Sequence, residues 1–358
     1  MTGMHLFSHA GNIFEQQKVN DRLTILLVSL FLLYYLFLGY LIDLFVFKND
    51  PFDFIYAHHA GFPYGMVGAL TLAGAYTIYC LYRGGDLILK SIRCDEVWGD
   101  DPEEQIVKRI WHDDVNYRQV VNAVTEMSIA AGVPVPSIYL VRDADPNAFV
   151  TGPNPRNAAI VLTTGLVQKL DREELQAVIA HEMAHIRNYD IRLLTLVATI
   201  VMGSVLLWGV FFLGGAGVRW IGKLGFPQLV VFCGGAVFLF TLWIGMTLFT
   251  SVIAKIFELL ISDERVYQAD VTAAQLTRNP SGLLRALKEI DSYVGSTHSF
   301  SPATRHLCVV GPGGEYQAMD NAGFGFRLCL NAHPPMAKRI EAIKELGFLQ
   351  GMAPAGGT

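Results

Sequence analysis

His181-Glu182-Met183-Ala184-His185, read together with the Asp171-Arg172-Glu173-Glu174 ahead of it, decides what kind of chain this is. Histidines four residues apart face the same way on a helix of about 3.6 residues per turn. Two neutral imidazoles so placed can share one tetrahedral zinc, with Glu182 as general base toward a water. The spacing therefore implies metal-assisted hydrolysis of peptide bonds. Asp171 is placed as an N-cap, and Glu174 stands where a capping box needs its carboxylate, so the helix is well founded at its polar end. It is expected to run through Asp190 almost directly into an apolar span. The charges at Asp171–Glu174 and Arg187–Asp190 would be costly in hydrocarbon, which disfavours a protease with its motif inside the bilayer.

Hydrophobic residues make up 52% of the 358 positions and charged residues only 16%. With a mean hydropathy of +0.36, this exceeds the usual soluble balance. The excess is concentrated. Leu23–Phe47 carries a single charge, Asp43, and is long enough for a bilayer that needs about 20 apolar residues. It is too long for a signal-peptide core and lacks a small-residue cleavage site behind it, which points to a retained anchor. Three more spans are expected at Tyr64–Tyr82, Leu193–Leu213 and Leu229–Ile253. The second carries Gly65, Ala69 and Ala73 one turn apart, a stripe that lets another helix approach closely. Lys18 and Arg22 precede the first span and Arg83, Lys90, Arg93, Lys108 and Arg109 follow the second, so the positive-inside rule puts both ends of this hairpin in the cytoplasm. Arg219 and Lys223, in the loop of the later hairpin, run against that orientation.

The five cysteines form no CxxC pair, and neither a disulfide framework nor a cysteine zinc site is indicated. A net charge of −5 without a basic, aromatic-interleaved run gives no support to nucleic-acid binding. Nothing in the sequence speaks for or against an oligomer. Four segments follow: 1–99 as a membrane hairpin with linker, 100–192 as the first part of a peptidase domain, 193–256 as a second hairpin, and 257–358 as the second part with a tail.

Between the hairpins, Asp101-Pro102-Glu103-Glu104 resembles a helix start. Val120, Val121, Val124, Met127 and Ala131 recur at helical spacing until Gly132 stops the pattern. Ser137–Val141 and Ala158–Thr164 suit strands, with Asn147-Ala148-Phe149-Val150 after the loop between them. Helices are expected at Phe257–Leu276, ended by Asn279-Pro280, and at Gly282–Ile290. The glycine-rich stretch Asp291–Phe326 reads as a long loop, and His333-Pro334-Pro335 as another helix start.

Taken together, these residues resemble the HtpX-type membrane zinc peptidases of the gluzincin group. The resemblance rests on Pro146-Asn147-Ala148-Phe149 with Thr151-Gly152, Thr163-Thr164-Gly165-Leu166, Glu173-Glu174-Leu175, and His181–His185 continuing into Ile186–Asp190. Ala269-Asp270, Thr277–Pro280, Pro302–Thr304 and His333-Pro334-Pro335 with Arg339-Ile340 extend it over most of the chain after Gly132. It implies an α+β membrane protein: four transmembrane helices with a mostly helical gluzincin-type peptidase domain carrying a small mixed sheet. It further implies a bacterial inner-membrane endopeptidase that faces the cytoplasm and cleaves misfolded or surplus membrane proteins. His181 and His185 become zinc ligands and Glu182 the base, while Asn147, Ala148 and Phe149 lie on an edge strand that would hold extended substrate. His333 is either a donor to the developing oxyanion or part of a helix start.

One position departs from the family. Similar proteins place a glutamate ligand four residues before the aspartate of the Ala-Asp pair, and here Val266 stands there. Valine cannot bind zinc, whose catalytic sites normally have three protein ligands. Asp270 and Asp263 each lie one turn from Val266 on the same face and are candidate replacements. In the family pattern the Asp270 position instead supports a histidine from behind. The alternative function is a catalytically weak or inactive relative that binds or regulates membrane proteins.

Overall fold

The computed structural model describes residues 13–45, 62–92, 94–98, 117–200, 202, 263–293, 304, 307–310 and 334–349. Two long helices open the chain, α1 (Ile13–Phe45) and α2 (Tyr64–Ile92), and both are long and apolar enough to cross a membrane. Only 22% of the apolar window of each is buried, and Ile25, Leu33, Phe37, Leu72 and Tyr82 face outward. Such an outer surface suits lipid rather than water. The second helix runs ten residues beyond the expected end at Tyr82. It continues because Arg83 and Asp86 pair across one turn at 2.8 Å and Gly84 lets the helix press against Thr195 and Thr199. The later two spans lie almost wholly outside the described residues, apart from residues 190–200, which are helical.

The two helices cross at glycines. A Cβ on Gly39 would stand 2.5 Å from the Met66 Cα, and one on Gly65 would stand 2.5 Å from the Gly39 carbonyl oxygen. Backbone therefore meets backbone, as the small-residue stripe Gly65, Ala69, Ala73 leads one to expect. The single charge of the first span has a use. Asp43, wholly buried, accepts hydrogen bonds from the Gly65 and Met66 backbone N–H groups at 2.7 and 2.9 Å. These groups at the start of α2 have no partner within their own helix, and a carboxylate is the favoured charge at that end.

Strand β1 (Asp95–Trp98) precedes α3 (Tyr117–Ala131). Gly132 ends α3 with φ at +69°, a left-handed conformation cheap only for glycine. Strands β2 (Ser137–Val141), β3 (Ala148–Thr151) and β4 (Ala159–Thr163) complete a mixed sheet of order β1-β2-β4-β3. Pairing is antiparallel at β1/β2 and β3/β4 and parallel at β2/β4. A short α4 (Thr164–Lys169) follows, capped by Thr163, whose side chain accepts from the Leu166 N–H.

Asp171 and Glu174 form the expected capping box at the head of α5 (Arg172–Arg187). The helix does not run through Asp190. It ends at Arg187, Tyr189 adopts φ 62°, and a new helix starts at residue 190. The break has a physical gain: it turns the Asp190 carboxylate back toward α5. Further on come α6 (Asp263–Thr277), α7 (Pro280–Ser292), capped by Asn279, and α8 (Met336–Leu349). The expected helix start at Asp101–Glu104 lies outside the described residues, as does nearly all of the glycine-rich stretch.

The sheet separates two cores. Ile138, Leu140, Val150, Ile160 and Leu162 face α3, α5 and α7. Phe149, Val161 and Val141 face Leu27, Phe31, Cys80, Ile88 and the 190–200 helix. Strands buried on both faces read as unbroken apolar runs, as Ala159–Thr163 does. The membrane hairpin is thereby packed onto the same sheet as the histidine helix. Substituting Gly65→Ala, which forces the helices apart, is expected to destabilise the solubilised protein by about 1–3 kcal/mol. Gly68→Ala, with open space at its Cβ, should stay within about 0.5 kcal/mol. Paired thermal unfolding curves of the two variants in one detergent check this.

Candidate active site

Helix α5 is buried on nearly every side from Leu175 to Ile186. Ala177, Ala180 and Ala184 keep its girth small enough for α3, α6 and α7 to close around it. His181, Glu182 and His185 are 2%, 1% and 8% exposed, so each polar atom must find a partner inside the protein or from a bound group. The two imidazoles lie with centroids 5.0 Å apart, edge to face.

Each histidine has a carboxylate at its Nδ1. Asp190 Oδ2 lies 3.0 Å from His185 Nδ1 in hydrogen-bonding geometry. Asp270 Oδ1 lies 2.8 Å from His181 Nδ1, although this approach is off the N–H axis, so the contact is a short electrostatic one rather than an aimed hydrogen bond. Carboxylate on Nδ1 leaves Nε2 of both rings for a ligand, the arrangement by which metal-binding histidines are oriented and made more basic.

Asp270 is held in turn by Arg339, which is 1% exposed. The guanidinium donates from Nη2 to Oδ1 at 2.7 Å and from Nε to Oδ2 at 2.8 Å, a bidentate fork. Its Nη1 donates to the Val309 carbonyl at 2.8 Å. Asp190 accepts on Oδ1 from Asn20 Nδ2 at 2.7 Å and from Arg265 Nη1 at 3.3 Å. Asp190 and Arg339 are visible in the sequence only as parts of a resemblance. For Asn20 the one local signal is its place as a polar residue just ahead of an apolar span.

Burial alone would raise the Asp270 carboxyl, but the Arg339 charge and hydrogen bonds, with His181, hold it well below the usual carboxylate range. Burial pushes His181 down to about 4, against the pull of Asp270. His181 is thus neutral beside an ionised aspartate, the form a metal needs. Burial would lower His185 too, yet the hydrogen bond and charge of Asp190, with Glu182 and Asp270, raise it instead. Burial also pushes Glu182 up to about 7, offset in part by His185 and Arg339. Its Oε2 is buried with no hydrogen-bond partner among the described residues.

Val266 is 6% exposed and lies one turn before Asp270 on α6. Its side chain carries no atom that could bind a metal. Both Asp270 oxygens accept from Arg339, and Oδ1 also lies beside His181, an arrangement that suits support behind that ring. Asp263 opens α6, with its side chain outside the described residues. His333 also lies outside them. Among the described residues, no three histidines, cysteines or carboxylates converge as a metal cage. Two histidines, of which His181 is neutral, beside a buried carboxylate oxygen nonetheless fit zinc at two of its positions.

Ala148 and Phe149 are buried on strand β3, at the edge of the sheet beside α5, and Asn147 is buried just ahead of it. That edge is already paired by the chain itself. Val309 N–H donates to the Ala148 carbonyl at 2.9 Å, Phe149 bridges Cys308 in antiparallel fashion, and Asn147 Nδ2 donates to the Val310 carbonyl at 2.9 Å.

A model of peptidase family M48 matches residues 115–347. A "Protease HtpX homolog" of Caldanaerobacter subterraneus subsp. tengcongensis is 33% identical over 93% of this chain and 98% of its own length. One from Streptococcus pneumoniae is 28% identical over 93% of this chain and 100% of its own. The crystal structure of S. mikatae Ste24p overlaps at a TM-score of 0.40 with 17% identity, covering 90% of this chain and 66% of that one. From the span of the family match and the length of the shared alignments, the chain belongs to peptidase family M48, among its HtpX-like membrane proteins.

Proposed function

We propose that the chain is a zinc-dependent endopeptidase that hydrolyses peptide bonds of membrane or misfolded proteins at the cytoplasmic surface of a four-span membrane domain. The observation that carries this reading is the pairing of two carboxylate-backed histidines with the buried, unpartnered oxygen of Glu182. His181 and His185 would hold zinc through Nε2, and zinc when bound supplies a Lewis acid that makes water acidic and polarises a carbonyl. Asp270 and Asp190 keep the rings oriented. Glu182, poised near neutrality by its burial, takes the proton from the attacking water and delivers it to the departing amine. His333 is assigned the donor to the developing oxyanion. Extended substrate is assigned to the edge at Asn147, Ala148 and Phe149, on condition that it displaces Leu307–Val310.

Val266 favours a second reading, a metal-poor relative that recognises protein segments without cutting them. A side chain with no ligating atom fills the third position, and Asp270 is committed elsewhere.

Three outcomes separate these readings. Glu182→Gln is expected to lower cleavage of a fluorogenic unfolded protein by about 10²- to 10⁴-fold while leaving the unfolding transition in place. Val266→Glu should raise bound zinc, measured by elemental analysis, toward the one ion per chain of a complete site, and raise turnover with it. A parent that neither binds zinc nor cleaves, beside a Val266→Glu variant that does both, would establish the second reading. Arg339→Met strips the buried Asp270 of its guanidinium and should cost roughly 3–5 kcal/mol in denaturant unfolding of the solubilised protein.

A further inference from the structure

Polar side chains of helix α1 meet the chain where the histidine helix ends. Asn20, 4% exposed, lies at the polar end of the first apolar stretch. Its Nδ2 donates to Asp190 Oδ1 at 2.7 Å and to the Asn188 carbonyl at 3.0 Å. These acceptors flank Tyr189, the left-handed residue at which α5 ends. The other Asp190 oxygen faces His185 Nδ1 at 3.0 Å.

An aspartate carboxylate rotates about a broad, roughly two-fold torsion, so nothing within Asp190 keeps Oδ2 against the imidazole. A fixed donor on Oδ1 does. Arg265 also donates to Oδ1, but at 3.3 Å. The contact from Asn20 is shorter, and its amide fixes the backbone of the turn as well. Being neutral, it orients the carboxylate without cancelling the charge that His185 feels.

We propose that Asn20 is a positioning residue for His185, acting through Asp190, so that the metal-binding helix is oriented from the first membrane helix. This rests on the reading of His185 as a ligand. Two neighbouring contacts tie α1 to the same region without touching Asp190: Gln17 Nε2 donates to the Arg187 carbonyl at 3.3 Å, and Asp21 pairs with Arg192 at 3.5 Å. They separate positioning from tethering.

The test uses the full chain in detergent, labelled with ¹⁵N-histidine, without metal and at alkaline pH where the rings are neutral. In the parent, the ring nitrogens of His185 should show a single tautomer with the proton on Nδ1. Asn20→Leu should bring the two nitrogen shifts toward each other as tautomers mix. Asn20→Ser, too short to reach Asp190, should do the same and serves where Asn20→Leu does not fold. Gln17→Leu and Asp21→Ala should leave the shifts as in the parent. In a parallel cobalt titration, followed by visible absorption, the Asn20 variants should bind at least about threefold more weakly. That lies below the 10- to 100-fold typical of a group touching the ligand itself. Parent-like nitrogen shifts in both Asn20 variants, or equal changes in the Gln17 and Asp21 controls, would overturn the proposal. A parent that takes up no cobalt, while its His185 tautomer still depends on Asn20, would sink the metal reading and leave the positioning role standing.

Discussion

Burial of α5 on nearly every side is the constraint from which the placement of charge in this protein follows. Two imidazoles and a carboxylate cannot be left bare in such surroundings. Asp270 and Asp190 answer the histidines, and an unbalanced pair of buried carboxylates would itself be untenable, so Arg339 and Arg265 answer them. Among the described residues, one oxygen of Glu182 is left without a hydrogen-bond partner, and His181 Nδ1 has only its off-axis contact with Asp270. A buried polar atom in that position is one that a bound group could satisfy.

Local signals were readable in proportion to how local their physics is. The capping box at Asp171 and Glu174, the left-handed stop at Gly132 and the apolar strand Ala159–Thr163 depend on neighbours in sequence, and each formed where its residues indicate. Strand β1 is not legible in Asp95-Glu96-Val97-Trp98, where two strand-poor acids precede only two strand formers, and it is held by its pairing with β2. The break at Asn188–Tyr189 is not legible either, because neither glycine nor proline announces it. The bidentate fork of Arg339 on Asp270 joins residues far apart in the chain, which no periodicity can display. Val266 is conspicuous only against a family pattern; on its own it reads as an ordinary core valine.

The sheet makes membrane and soluble parts inseparable. Its alternating side chains feed one core around α5 and another that takes in Leu27, Phe31, Cys80 and Ile88 of the long helices. Tyr76 adds a hydrogen bond to the Thr199 carbonyl at 2.8 Å, and Gly84 allows α2 to close on Thr195. The hairpin is thus part of the scaffold rather than a passive anchor.

Arg339 also sets a clock. During synthesis, Asp270 leaves the ribosome well before the guanidinium that neutralises it, and at roughly 5–20 residues per second the interval lasts some seconds. The carboxylate behind His181 therefore gains its guanidinium partner only once residue 339 has been made, and a chain cut short before that point leaves a buried charge unbalanced.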